Sequence, residues 1–75
     1  MNPRWQEFET GGQTLLGGWC HLEYYDWGGK YKLLINNVDL GFTTDTPEEA
    51  KEKLISVVSY RIDEARKDIN KLNKR

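Results

Sequence analysis

The chain of 75 residues contains a single cysteine, one histidine and two prolines. One cysteine permits no internal disulfide, and it also excludes a metal site built on a pair of cysteines. The fold must therefore be held by a hydrophobic core, and a domain of this size buries only about 60% of the surface of its unfolded chain. We expect one domain over residues 1–75, with marginal stability unless a partner or a second copy covers more surface.

Long apolar runs and an excess of one charge are also missing. No stretch approaches the roughly 18 apolar residues of a membrane-spanning helix, and the N-terminal residues lack the apolar segment of a signal peptide. Eleven basic and twelve acidic residues give a formal net charge of −1, unlike the basic surface typical of nucleic-acid-binding domains. These features predict a cytoplasmic protein that has no membrane partner, and the charge disfavours nucleic acid.

A long C-terminal helix is the strongest feature that is present. Thr46 suits the N-cap, Pro47 suits the first helical position, and Glu49 completes a capping box. The pattern predicts a helix over 46–72, and the 26 residues after the N-cap span about 39 Å. A strand of six or seven residues spans only about 20–23 Å. The last turns must therefore fray, bend back or pack against a partner helix.

Apolar residues of this helix follow a heptad spacing, which is typical of helix–helix contacts. The seam consists of Ile55, Val58, Ile62, Ala65, Ile69 and Leu72. Its first half is widened by Leu54 and Val57, as in a helix that packs on a sheet. The narrow part from Val58 to Leu72 predicts the interface of a homodimer.

Charges beside the seam favour antiparallel helices in this homodimer. A parallel pair would bring Arg61 of one copy against Arg66 of the other, a contact between like charges. An antiparallel pair would instead bring Arg61 towards Asp68 of the second copy, twice by symmetry.

Short alternating segments before the helix predict an antiparallel meander. They comprise a candidate edge strand at 4–10, a short strand at 13–16, and strands at 19–25, 30–36 and 38–42. Gly11-Gly12 is expected to form a turn, and Gly17-Gly18 a bulge or kink. The predicted class is α+β: a sheet of three to four strands over 4–42, with one long C-terminal helix packed on one face.

Two turns set the predicted register of the sheet. A two-residue loop at Asn36-Asn37 pairs Ile35 with Val38 and Tyr31 with Phe42. A loop centred on Trp27-Gly28 pairs Tyr25 with Lys30. Both turns place the same apolar set on one face: Cys20, Leu22, Tyr24, Tyr31, Leu33, Ile35, Val38, Leu40 and Phe42.

The opposite face is rich in aromatic side chains, which often anchor protein interfaces. The predicted partner-binding residues on and around it are Trp19, His21, Tyr25, Trp27, Lys30, Lys32 and Leu34. Residues 4–16 could instead fold over part of this face.

Catalytic chemistry is not predicted. Cys20 and His21 are strand neighbours and point to opposite faces, so they cannot act as nucleophile and base. His21 and Glu23 share a face, but two ligands without a third make a weak metal site. We expect a protein that is not an enzyme and needs no metal or cofactor.

One further motif joins the last strand to the helix: Val38-Asp-Leu-Gly-Phe-Thr-Thr-Asp-Thr-Pro-Glu-Glu-Ala50. It resembles the end of the AP2/integrase-type DNA-binding domains, and Trp19 after Gly-Gly is similar too, so the resemblance covers about 19–60. It implies three strands plus a helix, and an open sheet face that reads the major groove through arginine and tryptophan. Here that face would offer Trp19, Lys30 and Lys32, and no arginine lies between Arg4 and Arg61.

Three hypotheses for the function follow. The first is a small non-enzymatic protein-binding module, such as an inhibitor or adaptor encoded by a phage or mobile element, which acts through the aromatic sheet face or the helix seam. The alternative is a nucleic-acid-binding module that uses the open sheet face. The third is a subunit that folds fully only within a larger complex.

Overall fold

Five antiparallel strands and one C-terminal helix form the fold, in a computed structural model that describes residues 3–73. Their bounds are β1 Gln6–Phe8, β2 Gly11–Leu16, β3 Cys20–Trp27, β4 Lys30–Ile35, β5 Val38–Thr44 and α1 Pro47–Asn73. Strands that follow one another in the chain are neighbours in the sheet. The predicted α+β meander is confirmed, with five strands rather than three or four.

Gly11 and Gly12 do not form the predicted turn between the first two strands. Both are buried within β2, and the turn that precedes them is Glu9-Thr10. A Cβ atom on Gly11 would lie 2.1 Å from the carbonyl oxygen of Tyr24, and one on Gly12 would lie 2.7 Å from the Tyr24 ring. Glycine is needed here because β3 approaches β2 closely.

The next glycine pair, predicted as a bulge or kink before the following strand, forms the β2–β3 turn. Gly17 and Gly18 have φ values of 61° and 77°, a conformation that glycine adopts without steric cost. Trp19 completes the turn, and its amide donates a hydrogen bond of 3.2 Å to the Leu16 carbonyl.

The β3–β4 register differs from the prediction by two residues. The turn residues are Gly28 and Gly29, both with positive φ, so Trp27 pairs with Lys30. The sequence predicts that Tyr25 occupies this position. Because the shift is even, every side chain of β3 and β4 stays on its predicted face.

The β4–β5 register begins as predicted and then changes at a bulge. Ile35 pairs with Val38 across the Asn36-Asn37 turn. Residues 40–42 then lie opposite the single residue Leu33, so that Lys32 pairs with Thr43 and Tyr31 with Thr44. The predicted pairing of Tyr31 with Phe42 is wrong. Phe42 is 40% exposed and Thr44 takes the buried position.

The core lies between the sheet and the first half of α1. Its buried members are Leu16, Cys20, Leu22, Tyr24, Leu33, Ile35, Ala50, Leu54 and Val58. Trp5 packs against the same core, with its ring 5.6 Å from that of Tyr24. Burying a leucine-sized side chain contributes about 1.5–3 kcal/mol, so this cluster supplies the main stabilisation.

The helix begins as predicted and extends beyond the sheet. Thr46 Oγ1 accepts a hydrogen bond of 3.1 Å from the Glu49 amide, and α1 continues to Asn73. Its 27 residues span about 40 Å. The radius of gyration is 14.2 Å, whereas a compact chain of this length would have about 11 Å. From Ala65 to Leu72 every helical residue is exposed; we call this segment the overhang.

Within residues 3–73 no helix is apolar over enough of its length to cross a membrane.

Two candidate interaction surfaces

The sheet face that points away from α1, here the open face, carries the first surface. The cross-strand pairs Glu23–Leu34, Tyr25–Lys32 and Trp27–Lys30 lie on this face, because their neighbours Leu22, Tyr24 and Leu33 point into the core. Of the residues predicted for partner binding, six lie here: His21, Tyr25, Trp27, Lys30, Lys32 and Leu34.

The N-terminal strands enlarge the open face rather than cover it. β1 and β2 lie beside β3 in the plane of the sheet, and Trp5 packs on the helix side. Phe8 and Leu15 point to the open face, where they are 53% and 59% exposed, and Trp27 is 59% exposed. Phe8 and Leu15 are not among the predicted residues, because the predicted strand 13–16 is shorter than β2, which begins at Gly11.

Lys32 on the open face is paired with a carboxylate of the neighbouring strand. Lys32 Nζ lies 3.2 Å from Asp39 and 4.3 Å from the centre of the Trp27 ring. The pKa of Asp39 is lowered by the Gly41 amide that donates to it and by the Lys32 ammonium. Lys32 and Asp39 therefore form an ion pair, and the Lys32 ammonium also makes a cation–π contact with the exposed Trp27 ring.

Lys30, the second lysine of the open face, is also paired with a carboxylate. Lys30 Nζ lies 2.6 Å from Asp45, and this hydrogen bond raises the pKa of the ammonium. A ring nitrogen of His21, Nε2, lies 3.1 Å from the side-chain oxygen of Gln13. Both lysines and His21 therefore contact another polar side chain of the protein, whereas the large apolar side chains at the rim of this face remain more than half exposed.

Trp19 does not lie on the open face, where the sequence predicts it. The β2–β3 turn carries its indole to the helix side at one end of the sheet. There it lines a cavity of about 280 Å³ with Cys20, Ile35, Asn36, Val58, Arg61, Ile62 and Ala65. The strand alternation used in the prediction fails because residue 19 belongs to the turn.

This end of the sheet and the overhang form the second surface, here the notch. Trp19 and Val38 are each 63% exposed, and on the helix Ile69 is 55% and Leu72 71% exposed. Residues 16–20 and 35–38 contain no charged side chain. The notch therefore has one apolar, uncharged wall on the sheet and one apolar stripe on the helix.

The predicted dimer residues divide between the core and the notch. Val58 is buried against the sheet, and Ile62 is partly buried beside it. Ala65, Ile69 and Leu72 are exposed on the overhang, so these three are the part of the seam that remains accessible.

Cys20 and His21, the two residues considered as a nucleophile and base, lie on opposite faces of the sheet. Cys20 is buried in the core, and desolvation raises the pKa of its thiol, which disfavours the nucleophilic thiolate. His21 points to the other face of the sheet. The described residues include no group of three or more His, Cys, Asp or Glu that could hold a metal ion.

No family model, curated protein or solved structure matches this chain. The resemblance to the AP2/integrase-type domains is thus supported only in its coarse form, an antiparallel sheet followed by one C-terminal helix.

Proposed function

We propose that this protein is a small non-enzymatic binding module, of the inhibitor or adaptor class, whose open face docks on an apolar surface of another protein. The observation that carries the proposal is the set of apolar side chains that project from the open face. Phe8, Leu15 and Trp27 are more than half exposed there, and the partly buried Tyr25 lies in the same cross-strand row as Phe8, separated from it by Gly11.

The sheet fixes the backbone positions of these residues before any partner binds. Residues on paired strands lose little conformational freedom on binding, which reduces the entropic cost of association. Tryptophan and tyrosine are frequent hot-spot residues in protein interfaces. The Lys32–Asp39 and Lys30–Asp45 pairs provide a polar border whose charges are already neutralised.

The same pairs disfavour nucleic acid as the partner. Affinity for nucleic acid comes mainly from cations that neutralise phosphates. On this face Lys30 and Lys32 both contact carboxylates. A phosphate would have to displace Asp45 or Asp39, whereas an apolar protein surface would leave both pairs intact.

The test compares four forms of the protein as immobilised bait in a lysate of its source cells: wild type, Trp27→Ala, Leu15→Asp and Tyr60→Ala. Tyr60 is an exposed aromatic residue on the helix, so Tyr60→Ala controls for loss of any exposed ring. Melting temperatures should match the wild type in all three variants. We expect a protein that is retained by the wild type and Tyr60→Ala and lost with both open-face variants.

Retention of the same protein by all four forms would overturn the open face as the binding surface. Tight binding to random duplex DNA would instead favour the nucleic-acid alternative. In that case log K would fall by about 0.9 per phosphate contact for each unit of log salt concentration, and Lys32→Gln would weaken it.

A further inference from the structure

We infer that the notch binds the overhang of a second copy of this chain, with the two helices antiparallel. This inference concerns the helix end and does not depend on the function proposed for the open face. It rests on the exposed seam residues, on the uncharged end of the sheet and on the position of the sheet beside the helix.

The overhang exposes the same side of α1 that packs on the sheet in the N-terminal half of the helix. Leu54 and Val58 are buried against the sheet, and heptad spacing places Ala65 and Leu72 on the same side of the helix. The stripe therefore points into the space just beyond the end of the sheet. A partner in that space would touch both the overhang and Trp19.

A second overhang fits this space by its shape and its composition. The second overhang carries the same apolar stripe, of the same length, as the overhang that it would cover. Ala65 in this stripe is small, so it allows close approach of the two helices. A two-fold pair covers both overhangs and both sheet ends with one kind of contact. A compact globular partner would have to present a protruding apolar helix to do the same.

The sheet itself determines the direction of the second helix. In a parallel pair, the N-terminal half of the second helix would run through the space that the first sheet occupies. In an antiparallel pair the second helix ends where the first sheet ends, and its own sheet lies beyond the other end of α1. Steric exclusion therefore selects the antiparallel arrangement.

The same exclusion changes the register expected from the sequence. Placing Arg61 opposite Asp68 of the other copy would lay the last helical turn of that copy over Val58, which the sheet already covers. The helices must slide apart until the two-fold axis lies near residue 67. Ile62 then faces Leu72 of the second copy, and Ala65 faces Ile69.

Sedimentation equilibrium tests the surface. We expect the wild type to approach twice the 8.8 kDa mass of one chain at a few hundred micromolar, and Ile69→Glu to stay at the mass of one chain. Tyr60→Glu, on the side of the helix away from the seam, is the matched control and should dimerise as the wild type does. Because Ile69 and Tyr60 are both exposed, both variants should keep the wild-type circular dichroism spectrum.

A wild type that remains at 8.8 kDa at these concentrations would overturn the proposal. A dimer that is as strong in Ile69→Glu as in the wild type would overturn it as well, since the interface would then lie elsewhere.

Electron spin resonance tests the direction. A nitroxide label at Glu48→Cys, in a Cys20→Ala background, sits in the first turn of α1. With the axis near residue 67, the two labels should lie about 55–60 Å apart, from the helical rise of 1.5 Å per residue. Parallel helices would bring them within about 10–20 Å, from the usual interaxial distance plus the label arms, and that result would overturn the antiparallel arrangement.

Discussion

The Tyr24 side chain contacts several elements of the fold. Its ring makes edge contacts with Trp5 at 5.6 Å and with Tyr31 at 6.0 Å, and it packs over Gly12. Its hydroxyl donates a hydrogen bond of 2.9 Å to Glu7. One residue thus links the N-terminal segment and β1 to β2 and β4, which explains why β2 carries a glycine beneath it.

The environment of Tyr24 predicts a loss of stability at alkaline pH. Burial, followed by the hydrogen bond to Glu7, raises its pKa to about 12, compared with about 10 in an unfolded chain. A raised folded-state pKa means that its contribution is complete below pH 10 and is lost as the pH rises towards 12.

Urea unfolding at pH 8, 10 and 11.5 measures this effect. We expect the wild type to lose more unfolding free energy across the series than Tyr24→Phe, which has no hydroxyl to ionise. At pH 8 the variant should be less stable by about 0.5–1.5 kcal/mol, the usual net value of a hydrogen bond. Equal losses in the two proteins would show that Tyr24 ionisation does not limit alkaline stability.

Single positions also mark where sequence reasoning fails. Trp19 follows two glycines, and its side depends on whether the strand has already begun at that residue. Alternation assigns it to the open face, but the positive φ values of Gly17 and Gly18 turn the chain and send the indole towards the helix. No composition or spacing rule reports those backbone angles.

At the scale of elements, β2 offers the sharpest test of the sheet. Leu15 and Leu16 are adjacent and identical, yet Leu16 is buried in the core and Leu15 lies on the open face. Leu16→Asp would bury an unpaired charge and should prevent stable folding. Leu15→Asp should change the unfolding free energy by no more than about 0.5 kcal/mol, as is usual for surface positions.

Urea melts of the two variants decide this point. Similar stability of Leu15→Asp and Leu16→Asp would mean that β2 is shifted by one residue or is not part of the sheet.

Elements also show why the faces of the sheet were easier to predict than its pairing. Alternation fixes which residues share a face, and the two-residue shift between β3 and β4 leaves the faces unchanged. The bulge opposite Leu33 is different, because it moves Phe42 outwards and Thr44 inwards. Gly41, with a φ of 85°, is a visible sign of that bulge only in hindsight.

At the scale of the whole molecule, helix length decides the architecture. A helix of 27 residues cannot be covered by strands of eight residues or fewer, and this follows from the sequence through the rise per residue alone. What the sequence could not supply is the position of the sheet along the helix. That position buries Val58, exposes Ala65 to Leu72, and so sets the register of the inferred dimer.

The two surfaces then have separate roles. The antiparallel dimer uses the notch and leaves the open face of each copy free. Because the two-fold axis places the sheets at opposite ends, each dimer would present two partner-binding faces, and a partner with two sites within reach would gain from their linkage.

The three tryptophans lie in three different regions of the molecule. Their indole resonances therefore test most directly whether the notch, and not the open face, binds the second copy. Trp5 packs against the core, Trp19 lies in the notch and Trp27 lies on the open face. In nitrogen–proton correlation spectra of the wild type, recorded from about a millimolar to about ten micromolar, we predict that the Trp19 indole resonance shifts on dilution. The Trp27 and Trp5 resonances should stay in place. A dilution series in which Trp27 moves and Trp19 does not would contradict the assignment of the notch to the second copy.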